Sequence, residues 1–166
     1  LQHTYTSGAM STVTRATVRM KPVETDDAAA LAVLYPNRPQ LAKYGSIAGR
    51  VTADGLPVHM ASVVALPPAG SPISTLTGPD GTYRIDHLPP GNYWIYVHPL
   101  PPNPDLQLPR NAAGEEVPPG PPFATLFYPG TRDPEQFATI EVTHGAAIDG
   151  IDFAVEQRES VPIHDI

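Results

Sequence analysis

The chain has 166 residues, a formal net charge of −7, 22 prolines and no cysteine, and only 16% of its residues are charged. Its few basic residues are scattered singly, which argues against nucleic acid or an anionic membrane surface as partner, because both need several neutralising contacts. The lack of cysteine removes disulfides, a thiolate nucleophile and thiolate metal ligands. No apolar run approaches the ~18 residues of a membrane span.

Residues 1–24 show no clear period. The opening LQHTYTSGAM is polar, so it does not read as a signal peptide, and it reads as a piece cut from something longer. Residues 25–35, TDDAAALAVLY, predict the one helix. Thr25 is a good N-cap, Asp26 and Asp27 favour the positive end of the helix dipole, and the alanines supply propensity. Leu31, Leu34 and Tyr35 fall on one face and predict an apolar stripe that packs on the rest of the chain. Pro36 ends the helix, and 37–44 reads as a linker.

From 45 onward the pattern changes to a period of two. Strands are predicted over 45–53, 58–66 and 73–77, the first ended by Asp54-Gly55 and the last followed by Pro79-Asp80-Gly81. Tyr83 and Ile85 alternate with Arg84 and Asp86, and after Leu88-Pro89-Pro90-Gly91 the residues Tyr93, Ile95 and Val97 alternate with Trp94, Tyr96 and His98. Tyr83, Ile85, Tyr93, Ile95 and Val97 are therefore expected in the core. Residues 98–122 form a Pro-rich insertion, too long for a featureless loop in a compact core. Strands follow over 123–128, 137–143 and 148–155, the last with Ile151, Phe153 and Val155 on one face, and 157–166 reads as a tail. These runs predict a mainly β fold, an antiparallel β-sandwich of the seven-stranded type (transthyretin- or immunoglobulin-like), preceded by a short loop-plus-helix segment.

Chemistry-bearing groups are sparse. Asp80, Asp86, Asp149 and Asp152 sit singly at turns and strand ends, with no dense loop of the calcium-binding kind. His59, His87, His98, His144 and His164 show no metal-ligand spacing, no G-x-S-x-G element is present, and Glu115-Glu116 reads as solvent-facing. The outward row Trp94, Tyr96, His98 is a candidate ligand surface, since aromatic rings bind sugars. The structural alternative is that these rings pack beneath the 123–128 strand, the Pro-rich insertion or the helix.

Two resemblances add to this reading. In the head, Leu1-Gln2-His3 is followed by Gly8-Ala9-Met10-Ser11 and then by a helix with an acidic pair at its start and Leu34-Tyr35 at its end. This order resembles the end of the matrixin-like metzincins, zinc metalloendopeptidases with the motif H-E-x-x-H-x-x-G-x-x-H, a Met-containing turn and a closing helix. The resemblance implies that His3 is a third zinc ligand and Met10 the Met-turn residue, that residues 1–36 are the remnant of a catalytic domain, and that the substrate of the parent is a protein or peptide. The first two histidines and the glutamate of the motif are absent. The chain alone is therefore expected to be catalytically inactive and to hold no zinc, with zinc the cofactor of the intact parent.

In the β region, Gly45-x-Ile47-x-Gly49-x-Val51, Gly55-Leu56-Pro57-Val58, Ala61-Ser62-Val63, Asp80-Gly81-Thr82-Tyr83 and Leu88-Pro89-Pro90-Gly91-Asn92-Tyr93 resemble the carboxypeptidase regulatory-like domain. Phe127-Tyr128-Pro129-Gly130-Thr131 and Ile148-Asp149-Gly150-Ile151-Asp152-Phe153 also suit that type. It is a transthyretin-like sandwich, related to carbohydrate-binding-like folds and appended to secreted bacterial enzymes and surface proteins. The resemblance implies a sandwich over 45–156 in an accessory role, an extracellular bacterial setting, and a glycan or surface protein as partner. Two readings follow. One is the C-terminal fragment of a secreted zinc metalloendopeptidase with an accessory sandwich. The other is a non-enzymatic extracellular module for binding or adhesion.

Overall fold

The structure, a computed structural model, describes residues 25–35, 42–100, 108, 110–111 and 113–158. In chain order these form α1 (Thr25–Leu34), β1 (Gly45–Ala53), β2 (Leu56–Pro57), β3 (Ser62–Leu66), β4 (Ile73–Leu76), β5 (Thr82–Leu88), β6 (Gly91–His98), β7 (Leu126–Phe127), a 3-10 turn (Pro134–Gln136), β8 (Thr139–Val142), β9 (Ala147–Ile148) and β10 (Phe153–Val155). The fold is mainly β, as the alternating pattern predicts, with the strands divided between two sheets of five.

The first sheet is built around β1, whose nine residues are long enough to serve four short partners. On one edge β1 runs antiparallel to β5, with Ile47 opposite Ile85 and Gly49 opposite Tyr83, and then to β2. On the other edge it runs parallel to β9 and then to β10. The β1–β2 hairpin turns at Asp54 and Gly55, with φ of 51° and 79°. Two successive positive φ values suit the right-handed twist of a hairpin, and Asp-Gly is a pair that adopts them readily. In the second sheet the order is β4, β3, β6, with β7 and β8 lying one after the other along the far edge of β6.

The core lies between the sheets. Ile47, Val51, Tyr83, Ile85, Leu88, Phe153 and Val155 come from the first, and Val63, Ala65, Tyr93, Ile95, Val97, Leu126 and Val142 from the second. The five residues that alternation places inward on β5 and β6 are all buried, as are Ile151, Phe153 and Val155. Each fully buried aliphatic side chain contributes about 1.5–3 kcal/mol.

Several elements depart from the sequence pattern. The expected strand over 58–66 begins only at Ser62. Residues 58–61 leave the ladder because Met60 has a φ of 59°, and their polar backbone is satisfied by Thr77 instead. The strand expected over 148–155 is split, because Gly150, with a φ of 79°, turns the chain between β9 and β10. The strands expected over 123–128 and 137–143 shorten to Leu126–Phe127 and Thr139–Val142.

Helix α1 forms where expected, but its apolar stripe does not pack inward. Leu31, Leu34 and Tyr35 are 50%, 55% and 76% exposed. The helix instead rests on β4 and β5, with Ala29 and Asp27 buried. Small alanines let the helix backbone approach the sheet edge more closely than leucines would, which leaves the large side chains on the far side. Part of the Pro-rich insertion is anchored to the sandwich. The His59 ring nitrogen Nδ1 lies 2.9 Å from the Pro118 carbonyl, Gly120 N–H donates to the His59 carbonyl at 2.7 Å, and Phe123 is buried and bridges to Gln157.

Candidate functional site

His3 and Met10 lie outside the described residues, as does His164. Trp94, Tyr96 and His98 lie on β6 and face outward, opposite to the buried Tyr93, Ile95 and Val97. β6 is paired on both sides, so these side chains stand on a fixed backbone. Trp94 lies between Leu66 of β3 and Thr139 of β8, Tyr96 between Val64 and Phe127, and His98 beside Ser62.

The three residues do not play the same part. Tyr96 has His98 on one side, with ring centroids 5.9 Å apart and planes 28° apart, and Phe127 on the other at 5.0 Å and 33°. Phe127 in turn stacks on Phe137 at 3.9 Å and 13°. The four rings form one ladder standing on the outer face of the sheet, and the faces of Tyr96 and Phe127 are spent on their neighbours. Burial raises the pKa of the Tyr96 hydroxyl. The His98 ring is held by its Nδ1, which donates to the Pro99 carbonyl at 2.8 Å; that assignment follows from the carbonyl being able only to accept. Trp94 is outside this ladder and 36% exposed. It is the ring with a face left for a ligand, and the ladder supports the strand beside it.

The polar groups nearest Trp94 on this face come from the same register. Thr139 is its cross-strand partner, and Asn92, two residues back on β6, is opposite Glu141 of β8; all three are exposed. Sequence reading found Trp94, Tyr96 and His98 from their alternation but missed Phe127, Phe137 and Glu141. Their relation to β6 depends on which strands pair and in what register, and a single strand carries no signal of that.

The remaining polar candidates have structural duties. Asp80 accepts from the Thr82 hydroxyl at 2.7 Å and the Thr82 N–H at 3.0 Å, and the hydroxyl bond leads in holding its carboxyl below the usual range. Asp86 pairs with Arg84 at 2.7 Å, and Asp152 accepts from the Arg50 N–H at 2.8 Å. Glu116 pairs with Arg110, and Glu115 accepts from Asn111. His144 bonds the Lys43 carbonyl. His87 has a φ of 62°, lies edge-on to Tyr44 at 6.1 Å, and has two buried ring nitrogens with no hydrogen-bond partner. Among the described residues no three His, Asp or Glu side chains group as a metal site, and no helix is long and apolar enough to cross a membrane.

No curated protein matches the chain. Residues 46–100, which run from the start of β1 to just past β6, match the family model of the carboxypeptidase regulatory-like domain, and over that stretch the chain is similar to this β-sandwich family.

Proposed function

We propose that the sandwich is an accessory binding module that holds a glycan on the outer face of its second sheet, with Trp94 as the contact ring. The observation that carries this reading is the exposed Trp94 on a strand paired on both sides, next to a ladder of four rings. An aromatic side chain has few torsions to freeze, so a ring on a rigid strand loses little entropy when a ligand arrives. The apolar C–H face of a sugar lies on the indole, and Asn92, Thr139 and Glu141 supply partners for its hydroxyls. A glycan array tests this. Binding that is present in the native chain and lost in Trp94→Ala, with the thermal unfolding transition retained, supports it; binding unchanged by Trp94→Ala overturns it.

A second reading concerns the protein around the module. We propose that it is a secreted, extracellular bacterial zinc metalloendopeptidase acting on protein or peptide substrates, of which this chain is a C-terminal part. The order of His3, Met10 and a helix that does form at Thr25–Leu34 favours it. A catalytic zinc takes three protein ligands and an activated water, and the motif's glutamate acts as general base. This chain offers His3 alone of that set, so its residues do not fit the metal by themselves and it hydrolyses no peptide unaided. Reading the coding sequence ahead of Leu1 tests the assignment. A H-E-x-x-H-x-x-G segment ending there supports it, and any other sequence leaves the sandwich as a non-enzymatic adhesion or binding module for a glycan or surface protein.

A further inference from the structure

We infer that the glycan taken at Trp94 is one of positively charged amino sugars, an inference that rests on the glycan reading above. It comes from the charge around the exposed ring. The outward positions of β3, β4, β6, β7 and β8 carry no Lys or Arg, and their one carboxylate is Glu141. Glu141 is exposed and takes part in neither of the two ion pairs among the described residues, Arg84 with Asp86 and Arg110 with Glu116. It lies directly opposite Asn92 and diagonal to Trp94 across the β6–β8 pair. Diagonal neighbours in an antiparallel pair are about 7–8 Å apart, close enough for one sugar unit to touch both.

An indole face attracts a cation through its quadrupole, more strongly than the other aromatic rings do. An unpaired carboxylate one sugar away attracts the same charge and repels a uronate or sialate. The net charge of −7 acts in the same direction at longer range. An ammonium group on the sugar is therefore matched twice, by Trp94 below it and Glu141 beside it, while a neutral N-acetylated unit keeps only the stacking contact.

Calorimetric titration of the whole chain with three oligomers of equal length tests this. They are glucosamine oligomers, the same oligomers N-acetylated, and galacturonate oligomers, at mildly acidic pH where the sugar amine is protonated and Glu141 ionised. The glucosamine oligomer is expected to bind roughly threefold or more tighter than the acetylated one, with the galacturonate weakest, and added salt is expected to narrow the gap. Glu141→Gln, an exposed and near-isosteric change, is expected to equalise the first two while leaving acetylated binding intact. Trp94→Ala is expected to weaken both by about tenfold. Equal binding of the cationic and neutral oligomers, or a preference that survives Glu141→Gln, overturns the amino-sugar inference and leaves the glycan reading standing. Binding of none of the three, together with a blank glycan array, overturns both.

Discussion

The hydroxyl of Tyr83 donates to the main-chain carbonyl of Ile151 at 2.6 Å, joining residues 68 apart in the chain. The bond crosses β1 from its β5 edge to the turn between β9 and β10, and the residue it passes is Gly49, the cross-strand partner of Tyr83. The same turn is fastened twice more, by Ile151 N–H to the Ala48 carbonyl and by Arg50 N–H to the Asp152 carboxylate. A stretch that breaks the strand pattern is thus held to β1 almost as firmly as a strand.

Replacing Tyr83 with Phe removes the donor and leaves a buried carbonyl short of a partner, at a cost of about 1–3 kcal/mol. The change also bears on alkaline stability. Burial first, and then the negative charge of Asp152, push the Tyr83 hydroxyl far above its usual pKa, and burial raises Tyr93 and Tyr96 as well. A pKa raised in the fold means that folding favours the protonated phenol. The contribution is complete below the unfolded tyrosine pKa of about 10 and is lost as pH rises beyond it. Urea unfolding measured from neutral to strongly alkaline pH is expected to show stability falling above that point, with a shallower fall in Tyr83→Phe. Identical slopes in the two proteins would show that Tyr83 does not carry the effect.

Gly49 makes that crossing possible. A Cβ built on it would lie 2.0 Å from the Ile151 carbonyl oxygen, which is backbone and cannot swing aside. Gly49→Ala is expected to cost about 3 kcal/mol or more, through displacement of the turn that Tyr83, Ala48 and Arg50 all hold. Gly55 is the control. It has a φ of 79° and nothing within 4 Å of an added Cβ, so Gly55→Ala bears only the conformational penalty of roughly 1 kcal/mol. Thermal unfolding of both variants checks the order, and equal losses would mean that close approach at Gly49 is not what demands glycine there.

Much of the sandwich was legible because burial and alternation agree on β1, β5 and β6. Tyr93 and Ile95 read as inward residues and are inward. The misses share a physical cause. Leu31, Leu34 and Tyr35 look like a packing stripe, but the face of α1 that meets β4 and β5 is chosen by closeness of approach, and it is Ala29 that is buried there. The run over 58–66 looks like one strand because Val58 and Ala61 are as buried as strand residues, yet they are covered as a loop. At the candidate site, alternation found Trp94, while the loss of Tyr96 and His98 to a ladder with Phe127 and Phe137 depends on pairing across about 30 residues of intervening chain.

The loop at 58–61 depends on a residue with no signal in the sequence. Thr77 is buried, its hydroxyl donates to the Val58 carbonyl at 2.6 Å and accepts from the Ala61 N–H at 2.9 Å, and its backbone bonds Met60 and Ala61. Valine has nearly the shape of threonine, so Thr77→Val keeps the packing but strands two buried backbone groups, at about 2–4 kcal/mol in all. Thr77→Ser keeps the hydroxyl and loses one methyl group, about 1 kcal/mol. Chemical denaturation is expected to rank the native chain above the serine variant and the serine variant above the valine one; valine at or above serine would show that the hydroxyl is not what holds the loop. The effect reaches the candidate site, because the loop sets where β3 begins, and β3 carries Leu66 against Trp94 and Val64 against Tyr96. Amide exchange in Thr77→Val is therefore expected to speed up first at Ser62 and Val63, before the β6 strand that bears the exposed indole.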